Sequence, residues 1–365
     1  MNNKKRVSVY VKGDRNSTAY YRIYQYLDNI DKLECKYHTM MSSRIHNKYM
    51  PISKQPIWIK ILVYIHIYIR MLYALIQDVI VCPNIIVIHR RIISRFTPLS
   101  YKILLTLIKL RRVQIVWDFD DNIIESKELS ENTFRFLSKL SNIIVVTHNF
   151  LKNLILREYH HKVIIMPTTD GDMYNCFIKE HINDIRLSSI DKELRLVWVA
   201  TSSNLKYLKD IIPILDSTAN NLRDKNITLK LSVICDLALQ HNCKYLTIDN
   251  IKWTRDKAIE AMKNGHIGLM PLADTPFTQG KGGFKLVQYM SIGLPCIGSN
   301  VGFNAYVLSD GAGILVNDVL DWRDAIITLS DKEIWKQYSQ NAYNSWMNNF
   351  SYIENLLHWK KILNI

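Results

Sequence analysis

Two patterns of apolar residues alternate along this chain. Short runs, RVSVYV (6–11), IIVI (85–88), VQIVW (113–117), NIIVVT (142–147) and KVIIMP (162–167), are too brief for helices and predict buried strands. Between them TAYYRIYQYL (18–27), YKILLTLIKL (101–110) and a segment from Asn149 carry helical spacing. Residues 168–192 are polar and rich in turn formers, which predicts a linker. Beyond it the alternation restarts with LRLVWVA, a helix from Asn204, TLKLSVI, HIGLMPL, the helical FKLVQYMSI, PCIGS and GILV. Repeated βα units predict an α/β chain of two Rossmann-like domains facing across a cleft, residues 1–170 and 171–345. The aromatic tail, with Trp346 and Trp359, needs a surface to cover, so residues 346–365 are expected to return to the first domain.

The most informative stretch is QGKGGFKLVQYMSIGLPCIGSN (279–300), where Lys281 and Lys285 bracket Gly282 and Gly283 between a strand and a helix. In a βαβ unit this loop opens at the carboxyl edge of the sheet, and glycine lets backbone N–H groups approach an anion closely. A helix N-terminus flanked by two lysines is suited to phosphate.

Composition narrows the classes. At 365 residues and 48% apolar content the chain can build two cores. Six scattered cysteines show no paired spacing, which argues against a metal site or a disulfide framework and for reduced thiols in a cytoplasm. The first apolar run, VSVYV, is too short for a signal peptide. The net charge of +14 is concentrated: residues 56–112 hold Lys60, Arg70, Arg90, Arg91, Arg95, Lys102, Lys109, Arg111 and Arg112 against one acid, Asp78. Within them PIWIKILVYIHIYIRMLYALIQ is long enough to span a bilayer but is interrupted by Lys60, His66 and Arg70. It predicts either a helix at an anionic membrane surface or a buried helix with snorkelling cations. No helix-turn-helix, zinc-finger or RNA-binding signature accompanies the basic face, so nucleic acid is not expected as a partner.

WVATSSNLKYL (198–208), MPLADTPFTQGKGGFKLVQYMSIGLPCIGSNVGFN (270–304), VWDFDDNI (116–123) and VIIMPTTD (163–170) resemble the bacterial family 4, or group 1, glycosyltransferases of the GT-B architecture. The resemblance runs from about residue 6 to residue 350 and is most specific around GKGGFKLVQYM. It implies a nucleotide-sugar donor, transfer with retention, no cofactor and no catalytic metal. By the same resemblance Ser202, Ser203 and Asn204 meet the donor diphosphate, Lys281, Gly282, Gly283, Phe284 and Lys285 form the second phosphate turn, and Asp274 is the acidic residue before it. Many members carry two glutamates eight positions apart around this turn; here the positions hold Gly280 and Gln288. A glutamine still accepts a hydrogen bond from the donor but brings no charge. Lys281 and Lys285 are the expected stabilisers of the departing diphosphate.

Other positions keep two readings each. IVWDFDDNI also resembles the haloacid dehalogenase phosphatases, though those continue into Thr or Val where this chain has Asn122. Asp120 or Asp121 either orients an acceptor hydroxyl or caps the next helix. Gly13 either turns its loop toward the cleft while Arg22 reaches an acceptor phosphate, or Arg22 is solvated. His148 either contacts the sugar or merely precedes a helix capped by Asn149, and Asn304 either approaches the donor or stabilises a turn.

Three functions follow. The expected one is a hexosyltransferase acting on a growing surface polysaccharide or lipid-linked glycan, such as lipopolysaccharide or capsule, from the cytoplasmic face of the membrane. The alternatives are a sugar-nucleotide 2-epimerase of the same architecture and a non-catalytic nucleotide-sugar-binding protein.

Overall fold

The short apolar runs form strands because helices cover both of their faces, which leaves no polar alternation to read. The computed structural model describes residues 4–13, 18–49, 52–174, 176–179 and 181–365. Its chain divides into two units, Met1–Thr168 with Ile353–Ile365, and Thr169–Tyr352. In the first, β1 (Lys5–Val11), β2 (Leu33–Thr39), β3 (Ile85–His89), β4 (Gln114–Phe119), β5 (Ile143–Val146) and β6 (Val163–Ile165) form a parallel sheet ordered β2-β1-β3-β4-β5-β6. In the second, β7 (Glu193–Val199), β8 (Thr228–Cys235), β9 (Thr247–Lys252), β10 (Ile267–Met270), β11 (Cys296–Ser299) and β12 (Gly313–Val316) are ordered β12-β11-β10-β7-β8-β9. Both are Rossmann-like domains. The strand order reverses between β1 and β3 and between β7 and β10, and open sheets of this kind bind ligands outside the carboxyl ends of the strands at such a reversal.

Two strands, β2 and β9, gave no apolar run to read. Each pairs on one side only and keeps polar residues along much of its length, and TIDNIK of β9 is exposed or half-buried throughout. An edge strand needs little apolar surface, and polar side chains there discourage pairing with another chain.

The expected linker is instead part of the second core. Met173 and Ile182 are buried in its apolar cluster, and Arg186 of the helix Ile182–Leu187 is fully buried. Arg186 donates to the carbonyls of Met262 (2.9 Å), Lys263 (3.0 Å), Ile292 (2.9 Å) and Gly293 (3.2 Å), the last turns of two neighbouring helical segments. These carbonyls carry the negative ends of helix dipoles, so a cation placed among them replaces solvent. Burial pushes Arg186 down to about 9. Polar composition misread the segment because one arginine carries its anchoring.

The return to the first unit begins later than residue 346. Trp346 belongs to the second core, where its indole N–H donates to Thr169 Oγ1 at 3.0 Å, and only Ile353–Ile365 go back. There Trp359 is fully buried, Asn355 donates to the Pro167 carbonyl (2.7 Å) and the Tyr26 hydroxyl (3.1 Å), and Gln114 donates to the Ile362 carbonyl (3.0 Å).

The apolar segment of the first unit is the helix Ile57–Val81, 25 residues long and apolar enough to cross a membrane by length and composition, with few of its side chains buried. Its second half packs through Met71, Ala74, Leu75 and Asp78, whose carboxylate accepts from the Tyr10 hydroxyl at 2.7 Å. In the first half Val63 alone is buried among the described side chains.

Replacing Arg186 with Met should leave four carbonyls without their donor. We expect a loss of about 3 kcal/mol of unfolding free energy, measured by denaturant titration, with Arg186→Lys recovering part of it.

Candidate functional site

In the second unit the residues expected at the donor gather at the β7/β10 reversal. After β7 the turn Ser202–Asn204 leads into the helix Leu205–Arg223. After β10, Thr275 and Thr278 cap the short helix Pro276–Gln279 reciprocally, and the chain then passes Gly280–Gly283 into the helix Phe284–Met290. Gly283 is in the left-handed region (φ +61°), and a Cβ there would come within 2.9 Å of Val307 Cγ2. Only glycine takes that conformation cheaply, so the turn needs it on backbone grounds alone. The two turns are tied directly: Lys281 Nζ donates to Asn204 Oδ1 at 2.9 Å and lies over the Phe277 ring. Tyr289 anchors the helix to the sheet, its hydroxyl accepting from the Val199 N–H at 3.1 Å.

Asn304 joins this group. Gly302 (φ +54°) would clash with Gln279 if it carried a Cβ, which brings the 302–304 turn against the 279–283 turn. Asn304 Nδ2 donates to the Ser299 carbonyl at 3.1 Å, whereas its Oδ1 is buried with no hydrogen-bond partner. A buried acceptor left unmet beside a ligand-suited turn is a place for a ligand hydroxyl or N–H donor. Asp274, by contrast, is exposed and accepts from Gln279 at 2.6 Å.

Two carboxylates that the sequence reading did not assign enter here. Asp236, after β8, accepts from the Ser202 N–H (2.6 Å) and the Ser202 hydroxyl (2.7 Å), taking up the donors expected for phosphate on that residue. Asp170 is buried and accepts from Gln288 Nε2 at 2.5 Å, while Gln288 Oε1 accepts from Lys285 Nζ at 3.3 Å. Burial pushes Lys285 down to about 8, opposed by Asp170. Burial, aided by Asp172, pushes Asp170 up to about 6 against the Gln288 hydrogen bond and Arg255. VIIMPTTD contained Asp170, but nothing in its local spacing pointed to residue 288.

At the carboxyl edge of the first sheet several charges among the described residues are paired with one another. Arg22 is in the interior, correcting both expectations for it: its guanidinium binds Asp118 (2.5 and 3.1 Å) and donates to the Met166 carbonyl at 2.5 Å. The other Asp118 oxygen accepts from His89 Nδ1 at 2.7 Å, and His89 Nε2 lies 3.3 Å from the Thr18 hydroxyl. Arg90 meets Asp120 (2.7 Å), Asp121 (2.5 Å) and Glu128 (3.2 Å). Burial would raise Asp120, but Arg90 overrides it and holds the carboxyl well below its ordinary range; Glu128 is likewise held down to about 2. Asp120 is therefore a paired carboxylate. Neither it nor Asp121 caps the next helix, Glu131–Leu140, whose cap is Ser130. His148, not Asn149, occupies the cap position of Asn149–Asn153, and its side chain makes no capping bond. Gly13 is described, but residues 14–17 of its loop lie outside the described residues. Among the described residues no group of three or more His, Cys, Asp or Glu is placed to hold a metal ion.

Comparison with known proteins places these turns in a family context. Residues 194–332 match the family model of the glycosyl transferases group 1, a range that contains Ser202–Asn204, Lys281–Gln288 and Asn304. Among solved structures the chain is similar to Anabaena HepE in complex with UDP and glucose (11% identity, 99% of each chain, TM-score 0.62). It is also similar to a UDP-forming α,α-trehalose-phosphate synthase of Burkholderia xenovorans (9%, 99% of each chain, TM-score 0.63). A third is a putative UDP-N-acetylglucosamine 2-epimerase of Listeria monocytogenes (10%, 98% of this chain and 97% of that one, TM-score 0.57). No curated protein matches at the sequence level. At these identities the structures establish the two-domain fold, which transferases and an epimerase share.

The Lys285 ammonium is present below about 8 and lost above it. We expect nucleoside-diphosphate affinity, followed by calorimetry between roughly pH 7 and pH 9, to fall as Lys285 discharges, with Lys281 sustaining the remainder.

Proposed function

We propose that the chain is a glycosyltransferase that moves a hexosyl group from a nucleotide-sugar donor, with retention, to a growing surface glycan or lipid-linked acceptor. The observation that carries this reading is the bond between Lys281 and Asn204, which joins the two turns at the β7/β10 reversal inside the family-matched segment. Breaking the anomeric carbon–oxygen bond leaves negative charge on the diphosphate. Lys281, Lys285 and the N-terminal N–H groups of Phe284–Met290 are the donors suited to receive it, and they are worth most where the growing charge is largest. Asn304 Oδ1 is a place for a sugar hydroxyl.

We place the enzyme peripherally on the cytoplasmic face of an anionic membrane, in a pathway such as capsule or lipopolysaccharide synthesis. In the helix Ile57–Val81, Ile57, Trp58, Ile61, Leu62, Ile65 and Ile69 are exposed, and on the helix Leu99–Leu110, which packs with it, Leu99, Ile103 and Leu110 are exposed too. So much apolar surface favours burial in the headgroup and acyl boundary. The basic count there is smaller than the sequence implied, because Arg90 turns inward to three carboxylates.

Incubating nucleotide sugars, UDP-glucose first, with and without lipid-linked acceptor separates the readings: transfer supports this one, interconversion of the donor would make the chain an epimerase, and binding alone would leave a non-catalytic protein. Lys285→Ala should fold normally and lose about 10²-fold or more in turnover, roughly 3 kcal/mol of transition-state stabilisation. Unchanged turnover in that variant would remove Lys285 from the chemistry. The protein should also sediment with anionic liposomes at low salt, each basic residue near the surface contributing roughly 1 kcal/mol, and apolar burial should leave a salt-resistant fraction. Failure to bind such vesicles would sink the membrane placement.

A further inference from the structure

The amide of Gln288 is inserted between a cation and an anion. Lys285 Nζ can only donate and an ionised Asp170 can only accept, so the amide fits between them in one orientation, carbonyl toward Lys285 and NH2 toward Asp170. Gln288 is buried on the helix Phe284–Met290, one turn beyond Lys285, and Asp170 reaches it from the start of the second unit.

Asp170 is placed to act on Lys285 through the Gln288 amide. Its Oδ1 accepts from the Asp172 N–H at 3.0 Å, which orients the carboxylate, and the neighbouring Asp172 carboxylate is itself paired with Arg255. Lys281, the other cation of the turn, is held on Asn204. An ammonium partly withdrawn from water beside a glycine turn tends to shed its proton, and a carboxylate one amide away opposes that loss.

We propose that Asp170 is a positioning residue: through the Gln288 amide it keeps Lys285 protonated and its ammonium held against the Gln288 carbonyl. The role of Lys285 toward a diphosphate rests on the nucleotide-sugar reading, whereas the coupling of Asp170 to Lys285 does not. The relay operates between about 6, where Asp170 gains its charge, and about 8, where Lys285 loses its own. Below that window the carboxyl is neutral, and above it the amine is neutral.

The test is side-chain NMR titration of Lys285 in the whole protein, with Lys285→Arg used for assignment. The midpoint should lie near 8 in the wild type and about one pH unit lower in Asp170→Asn, the size expected for removing one nearby opposite charge. Moving the carboxylate to the other residue, in Asp170→Asn with Gln288→Glu, should restore it. The alkaline loss of UDP affinity should move with the midpoint, a shift that a purely structural role for Asp170 would not produce. Should Asp170→Asn fail to fold, Lys285→Met supplies the reciprocal measurement, since coupling between two sites is mutual: the Asp170 carboxyl midpoint should rise above about 6. An unchanged Lys285 midpoint in folded Asp170→Asn, or an unchanged Asp170 midpoint in Lys285→Met, overturns the relay. If the wild type binds no UDP, the nucleotide-sugar reading is what suffers, and the two midpoints still decide the relay.

Discussion

A charge withdrawn from water must be met by an opposite charge or by well-aimed dipoles, and this constraint arranges the functional edges of both sheets. In the first unit it draws Arg22 and His89 onto Asp118, and Asp120, Asp121 and Glu128 onto Arg90. In the second it sets Gln288 between Asp170 and Lys285, and at the opposite end of that sheet's strands it surrounds Arg186 with carbonyls. Removing one member of any such group would strand the others. These contacts hold the charged groups independently of how well the apolar cores pack.

The two edges nevertheless differ in what they leave over. At the β1/β3 reversal the carboxylates are paired, and His89 Nε2 lies 3.3 Å from the Thr18 hydroxyl. At the β7/β10 reversal the turn carries two lysines, a left-handed glycine and the unmet oxygen of Asn304. The second arrangement favours an anion with attached hydroxyls; in the first, Arg22 and Arg90 are turned to their carboxylates. This asymmetry is consistent with a donor site in the second unit.

The apolar helices of the first unit follow the opposite rule. Ile57–Val81 packs over its second half and exposes most of its first, so its sequence reads as continuous apolar character even though only one part belongs to the core. Length and composition alone could not separate a span, a core helix and an interfacial helix, because all three require the same residues. What distinguishes them is which side chains have neighbours, and that is a tertiary property.

The sequence by itself determined the α/β class, the two Rossmann-like domains and the glycine turn between β10 and its helix, because these depend on local signals. Buried parallel strands announce themselves as unbroken apolar runs, and Gly282-Gly283 between Lys281 and Lys285 can be read in one stretch. Edge strands β2 and β9 were silent because an edge needs no such run. Only the tertiary structure decided that Arg22 is interior, that Met173, Ile182 and Arg186 of the expected linker are buried in the second unit and that Asp170 meets Gln288 across 118 positions of chain. A polar residue carries the same letter whether solvated or buried. Its state is settled by which distant groups the fold brings within hydrogen-bond reach, and no local spacing records that.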